Sequence, residues 1–242
     1  MFVDLHQHLV HGMDDGASSF EETAQMLRAA HRDGIRHIFA TPHIHPGREV
    51  FPFARYRENL QMARDFLKRE RIPMGLYSGS EVLYTEETAR LLGEGHVPTL
   101  GGTPFLLVEF PTAVSMNRML AAGRRLNNAG YIPIYAHIER YGCLRTVRDV
   151  QKLKSLPDVR LQVNAETPLR KHGVFRSLFL NSLFREDLVD YVATDAHDMR
   201  SRPINMQASF QVLVEKYGKP RAENLTSRNQ AEILERMRQG GQ

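Results

Sequence analysis

The stretch FVDLHQH, residues 2–8, decides how the rest of the chain is read. It is a short apolar run ending in two imidazoles, and side chains two apart on a strand point to the same face. His6 and His8 can therefore approach one ion from a rigid support. An isolated H-x-H is as readily a hydrogen-bonded pair, so its weight rests on how the other strands end. YVATDAH at 191–197 repeats the pattern, with Asp195 and His197 two apart after an apolar run. Five further strand-like segments lie between them: HIFATPH (37–43), MGLYSGSEV (74–82), FLLVEF (105–110), IPIYAHIE (132–139) and RLQVNA (160–165). Their ends supply His43, Glu81, Glu109 and His137.

Helical patterns separate the strands at 19–33, 53–71, 85–93, 115–129, 145–156 and 203–217, with a terminal one near 221–238. Ser18 or Ser19 followed by Glu21 or Glu22 is a helix-start signal. Such alternation predicts parallel strands with helical crossovers, either closed into a barrel or open and doubly wound. An open sheet gathers ligands at one switch point, commonly beside a glycine-rich phosphate loop, and neither G-x-G-x-x-G nor G-x-x-x-x-G-K-[ST] occurs. A (β/α) barrel instead brings reactive side chains from several strand ends to one mouth. The expectation is an α/β fold, a seven-stranded (β/α) barrel, in a chain whose length suits one large domain or two small ones.

Carboxylates after runs such as FLLV are costly to bury unpaired, and a cation is a natural partner; a salt bridge to arginine is the alternative for any one of them. Asp15 joins through the DDG turn at 14–16, where Asp14 or Asp15 would otherwise cap the turn. The candidate ligands are then His6, His8, Asp15, His43, Glu81, Glu109, His137, Asp195 and His197. That set exceeds the needs of one ion and suits two or three divalent metals with positions left for water and substrate. Imidazole and carboxylate without thiolate favour manganese, iron or zinc over calcium or magnesium. With three ions, the four carboxylates and a bridging hydroxide still leave net positive charge. Arg140 follows His137 and Arg202 follows His197, where loops leave the same face, and a guanidinium fork matches phosphate oxygens. Solvated surface positions are the alternative for both arginines. The site suits a phosphate ester.

A formal net charge of +4 is spread over mixed-sign segments such as FARYRENLQMARDFLKRER, unlike the concentrated basic stripe of a nucleic-acid binder. No window approaches the roughly 18 apolar residues of a membrane span. The single cysteine, Cys143, permits no internal disulfide, and the first residues show neither a basic n-region nor an apolar h-region, so a cytoplasmic location is expected. Cys143 is followed by Arg148 one position too early for the C-x5-R of cysteine-dependent tyrosine phosphatases, so it reads as structural or incidental.

DLHQH, DDG, TPH, GSEVLYT, VEF, AHIERY and TDAHDMRSRP, in that order, resemble the polymerase and histidinol phosphatase (PHP) superfamily. Within it they resemble the bacterial manganese-dependent tyrosine-protein phosphatases of the CpsB/YwqE type, associated with capsular and exopolysaccharide synthesis. The resemblance covers nearly the whole chain and implies a single catalytic domain over 1–242, a distorted seven-stranded barrel with a trinuclear site. His6, His8, Glu81 and Asp195 would hold one metal. Glu81, Glu109 and His137 would hold a second, with Glu81 bridging, and Asp15, His43 and His197 a third. Arg140 and Arg202 match positions that hold phosphate or assist its departure. His11 and His45 read as loop histidines outside the metal set.

The reaction expected is phosphomonoester hydrolysis by a metal-activated hydroxide, on phosphotyrosine of a protein partner such as a bacterial tyrosine kinase. Histidinol phosphate or another small phosphomonoester, a phosphodiester nuclease and a non-enzymatic metal-braced scaffold are the rivals. Phe51, Phe53 and Tyr56 would either offer aromatic surface at the mouth or pack the following helix.

Overall fold

Among the described residues nine strand segments pair in parallel throughout: β1 (Phe2–Gln7), β2 (Ile35–Ala40), β3 (His43–Ile44), β4 (Gly75–Ser78), β5 (Glu81–Leu83), β6 (Phe105–Glu109), β7 (Ile132–Tyr135), β8 (Arg160–Asn164) and β9 (Tyr191–Ala193). This computed structural model describes residues 1–48 and 50–240. The strand order is β1-β2-β4 in one sheet and β3-β5-β6-β7-β8-β9 in the other. A parallel bridge between Gln7 and Ala196 joins the end of β1 to the segment after β9. The fold is α/β with parallel sheets and helical crossovers.

Two of the expected strands are each broken in two. HIFATPH divides at Thr41-Pro42 because proline has no N–H for the ladder. The run 74–82 divides at Gly79-Ser80, where a Cβ on Gly79 would lie 2.8 Å from Leu100 Cδ2. The expected strands at 132–139 and 191–197 stop early, at Tyr135 and Ala193. His137, Asp195 and His197 thus lie beyond strand ends rather than on them. Helices begin close to expectation, with Ser19 capping Phe20–Arg32 and Ser115 capping Met116–Asn128. Helix Val174–Arg185 has no counterpart in the sequence reading, since VFRSLFLNSLFR is apolar on all sides and shows no 3.6-residue stripe. The terminal helix at 221–238 is three consecutive pieces, Lys219–Glu223, a π-helical turn Asn224–Arg228, and Asn229–Gly240.

Alternation along the strands explains what their ends present. A smaller core cluster takes Phe39, Tyr77, Phe105 and Leu107, Ile134 and Ala136, and Tyr191 and Ala193. The intervening Ile38, Leu76, Leu106, Val108, Tyr135 and Val192 pack in the larger cluster. Continuing the first series by twos leads to His43, Glu81, Glu109, Asp195 and His197. β1 breaks parity: Val3 and Leu5 belong to the smaller cluster, and its register shifts between Asp4 and Gln7. Such an irregularity re-aims the residues that follow, here His6 and His8. Among the described residues no helix is long and apolar enough to cross a membrane.

Candidate metal centre

All nine candidate ligands meet at one end of the strands. β3 and β5 place His43 directly opposite Glu81, and β5 and β6 place Leu83 opposite Glu109. Glu81 is the centre of the set and is 1% exposed. Its Oε2 lies 3.1 Å from both His6 Nε2 and His43 Nδ1, and 3.2 Å from His8 Nε2. Its Oε1 accepts a hydrogen bond from His137 Nε2 at 2.9 Å, and that nitrogen is 3.5 Å from Glu109 Oε1. Asp195 Oδ1 is 3.2 Å from His6 Nε2. Asp15 Oδ1, at the solvent edge, sits 3.4 Å from His43 Nε2 and 3.3 Å from His197 Nε2.

Among the described residues, three groups of side chains have ligand atoms within 4.8 Å of one another: His6, His8, Glu81 and Asp195; His8, Asp15, His43 and His197; and His43, Glu81 and Glu109; His137 lies outside these groups and joins through its hydrogen bond to Glu81. Donors bonded at about 2.1 Å to one ion stand roughly 3.0–3.4 Å apart, the spacing found here. Hydrogen bonding alone does not satisfy this cluster. Glu81 Oε2, His43 Nδ1 and His197 Nε2 are buried without a hydrogen bond. His6 Nε2 and His8 Nε2 face each other at 3.1 Å, an arrangement two neutral acceptors cannot share. Buried polar atoms left unpaired are costly, and divalent cations would satisfy them together. The residues present therefore fit metal.

Electrostatics agree. Burial opposes charge on Glu81, yet His6 and the His137 hydrogen bond hold its carboxyl well below the usual range. Burial likewise opposes charge on Asp195, and His6 holds it down too. Burial disfavours protonated His6 and His8, but Glu81 and Asp195 raise His6, while Asp14 and Glu81 raise His8 to about 10. Farther out, burial lowers His43, and burial with the charge of His8 lowers His197 to about 4. Glu109 is raised by burial and by Glu81. Protons on His6 and His8 thus balance the buried carboxylates, a task a divalent cation performs with both imidazoles neutral.

Two candidate ligand positions are held by unusual backbone. His137 has φ 33° and Asp195 φ 54°, two of the four non-glycine residues with positive φ among those described. Such conformations cost of the order of 1–3 kcal/mol and persist where the surroundings impose them. At His137 the left-handed residue starts the short turn Ile138–Arg140 that carries Arg140.

Several supporting residues escaped the sequence reading. Asp14 accepts a 2.6 Å hydrogen bond from His8 Nδ1 and a 2.9 Å one from the His43 N–H, so it does more than cap the turn. Gln162 Oε1 accepts from the His137 N–H at 2.7 Å, and its amide donates to Asn164, whose own amide donates to Asp195 Oδ2 at 2.6 Å. Buried Asp4 accepts from the Thr194 N–H and hydroxyl. The D-x-H-x-H spacing of residues 4–8 offered a signal for Asp4, since positions two apart share a face. Nothing local marked Gln162 or Asn164.

Arg140 and Arg202 both reach the centre. Arg140 Nη2 donates to Asp195 Oδ2 and Arg202 Nη2 to Asp195 Oδ1, each at 2.8 Å. The remaining sequence candidates lie elsewhere. His11 packs edge-on against Phe20, and the His45 ring centre is 6.2 Å from that of His43. Tyr56 is 2% exposed and its hydroxyl donates to the Ala40 carbonyl, so it packs the helix and offers no surface at the mouth. Phe51 is buried as well. Cys143 Sγ contacts Met119 Sδ at 3.6 Å, and burial raises its thiol, which disfavours a nucleophilic thiolate.

Residues 2–235 match the family model for capsular polysaccharide synthesis, CpsB/CapC. The chain belongs to the CpsB/CapC family. It is 28% identical over 243 residues to the tyrosine-protein phosphatase CpsB of Streptococcus pneumoniae, covering 96% of this chain and 98% of that one. It is 30% identical over 222 residues to the tyrosine-protein phosphatase YwqE of Bacillus subtilis (strain 168), covering 89% and 85%. A crystal structure from work on YwqE and CpsB, described as unique metal-dependent tyrosine phosphatases, superposes with a TM-score of 0.81 at 28% identity over 91% of this chain and 89% of that one. The CpsB/CapC match thus embraces β1 through β9 and every one of the nine candidate ligands.

Proposed function

We propose that this protein is a metal-dependent tyrosine-protein phosphatase, hydrolysing phosphotyrosine on a protein partner. The observation that carries this reading is the convergence of nine imidazole and carboxylate side chains with two arginines fixed on Asp195 at their edge. The family's tyrosine-protein phosphatases support the choice of phosphotyrosine.

His6, His8, Glu81 and Asp195 would hold one divalent ion, Glu81, Glu109 and His137 a second, and Asp15, His43 and His197 a third. Manganese is the metal expected from this ligand set, and iron or zinc also suit it. Bound, such ions supply Lewis acidity toward phosphoryl oxygens and lower the pKa of water. The protein's own groups do the rest. Asp195 holds one nitrogen of each guanidinium and Arg202 Nη1 lies 3.6 Å from Asp15 Oδ2, so the N–H groups that remain on Arg140 and Arg202 would bind phosphoryl oxygens where charge builds up. Buried His8 and Glu81 lie deep and 64%-exposed Asp15 lies outermost, so the ester enters from the Asp15 side. No covalent enzyme intermediate is required, and Cys143 takes no part.

We further propose that the strand lines β2 to β3 and β4 to β5, continued across their kinks, join the others and the Gln7–Ala196 bridge in one distorted seven-stranded (β/α) barrel. Residues 1–242 then form one catalytic domain. A bacterial tyrosine kinase acting in polysaccharide synthesis, in the cytoplasm, is the partner this reading favours.

The test is hydrolysis of a phosphotyrosine peptide, histidinol phosphate and single-stranded DNA by chelator-stripped protein with manganese restored. Manganese-dependent release of phosphate mainly from the peptide is expected. Preference for histidinol phosphate or for DNA would overturn the substrate class, and full metal loading without hydrolysis would overturn the activity.

A further inference from the structure

Beside the centre, on the side of Arg140 and Arg202, opens a cavity of about 340 Å³ whose wall carries two more guanidiniums, those of Arg170 and Arg176. Both come from the segment after β8, and neither has a described contact with the nine candidate ligands. The lining holds four arginines and His172 against two glutamates, Glu139 and Glu166, while Asp195 accepts one hydrogen bond from each of Arg140 and Arg202. Glu139 is turned into the protein: its Oε1 accepts from the Asn164 N–H at 3.0 Å and the Thr167 hydroxyl at 2.8 Å, and its Oε2 is buried. Glu166 pairs with Arg170 in an exposed i,i+4 contact, the kind that contributes little and exchanges readily for a better anion. Arg176 donates to the Glu139 carbonyl, which ties it to the same turn that carries Arg140.

The scissile phosphate would occupy Arg140 and Arg202, so Arg170 and Arg176 represent positive charge beyond what that group uses. We infer that this cavity is a second anion subsite, in which Arg170 and Arg176 bind a carboxylate or phosphate side chain near the reacting phosphotyrosine in the same polypeptide. The inference rests on the phosphotyrosine reading above. Arginine pairs with either anion through two parallel N–H bonds, so recognition depends on where the second anion stands and not only on total charge. The enzyme is then selective for sequence context as well as for phosphotyrosine.

The experiment uses the full chain loaded with manganese and phosphotyrosine peptides that differ at one position. One series carries alanine at each of the three positions on either side, a second carries glutamate there, and a third carries a second phosphotyrosine. The readout is the ratio of kcat/KM between anionic and alanine peptides on one preparation, so any change in the central site common to both cancels. At one offset the wild-type ratio should reach about tenfold. It should fall toward one in Arg170→Glu and in Arg176→Gln; Arg170 is exposed, so its replacement keeps the test open if the Arg176 variant fails to fold. The glutamate and phosphotyrosine series identify which anion the subsite takes. Equal ratios at all offsets indicate long-range attraction and overturn the inference, as does a preference that survives both substitutions. Hydrolysis of no peptide by the wild type would instead overturn the phosphatase reading itself.

Discussion

Asp14 Oδ2 accepts a 2.6 Å hydrogen bond from His8 Nδ1, leaving His8 Nε2 as the nitrogen that faces Glu81 and Asp195. A carboxylate behind a ligating imidazole fixes its tautomer and raises its basicity, and losing it commonly costs 10–100-fold in metal affinity. Asp14→Asn should therefore weaken metal binding by about that factor, with most activity regained at saturating manganese. Calorimetric titration of manganese into the stripped variant measures the first part. Wild-type affinity in Asp14→Asn would remove Asp14 from the design.

The turn that delivers Asp14 and Asp15 depends on one glycine. A Cβ at Gly16 would lie 2.1 Å from the His8 carbonyl oxygen and 2.6 Å from His8 Cβ, so the turn lies against the end of β1 only without a side chain there. Gly16→Ala should displace the loop, lowering stability by about 1–3 kcal/mol as overpacking usually does. Metal affinity should fall at least as much as in Asp14→Asn, because both carboxylates move. Thermal melts with and without manganese separate these effects; unchanged metal-dependent stabilisation would contradict this role for the turn.

Arg140 and Arg202 act on substrate rather than on metal in this account. Each single replacement by alanine should lower kcat/KM by roughly 10²–10³, the usual effect of removing one preorganised donor to developing charge. Metal content by elemental analysis should stay at the wild-type level. If metal is lost in step with activity, the arginines hold the ligand Asp195 in place instead.

Much of the centre was legible because the alternation, counted by twos across the breaks at Thr41-Pro42 and Gly79-Ser80 and past the end of β9, leads to His43, Glu81, Glu109, Asp195 and His197. Less legible were the features that depend on contacts far apart in sequence. Gln162 touches His137 and His6 through a side chain whose identity alone suggests nothing, and Asp14 looked no different from its neighbour Asp15. The positive φ of His137 and Asp195 shortened two strands, since nothing in AHIER or ATDAH signals a left-handed residue. Helix Val174–Arg185 was hidden by its uniform apolarity.

Away from the centre, Thr146 and Asp149 form a reciprocal cap on helix Val147–Lys154. The Thr146 hydrogen bonds lower the Asp149 carboxyl, so its contribution is present above the unfolded value near 3.9 and is lost as pH falls through the folded one. Thr146→Ala should cost about 1 kcal/mol at pH 7. That difference should shrink when urea unfolding is repeated in acid, below the carboxylate range. A difference independent of pH would mean that the Asp149 charge contributes nothing to the cap.

Nine convergent side chains that form one multinuclear centre must bind metal among themselves. The direct measurement is a crystal structure of the manganese-loaded protein with anomalous scattering recorded at the manganese edge. Three anomalous peaks are expected among His6, His8, Asp15, His43, Glu81, Glu109, His137, Asp195 and His197, with Glu81 between two of them. A single peak, or peaks coordinated by residues outside this set, would contradict it.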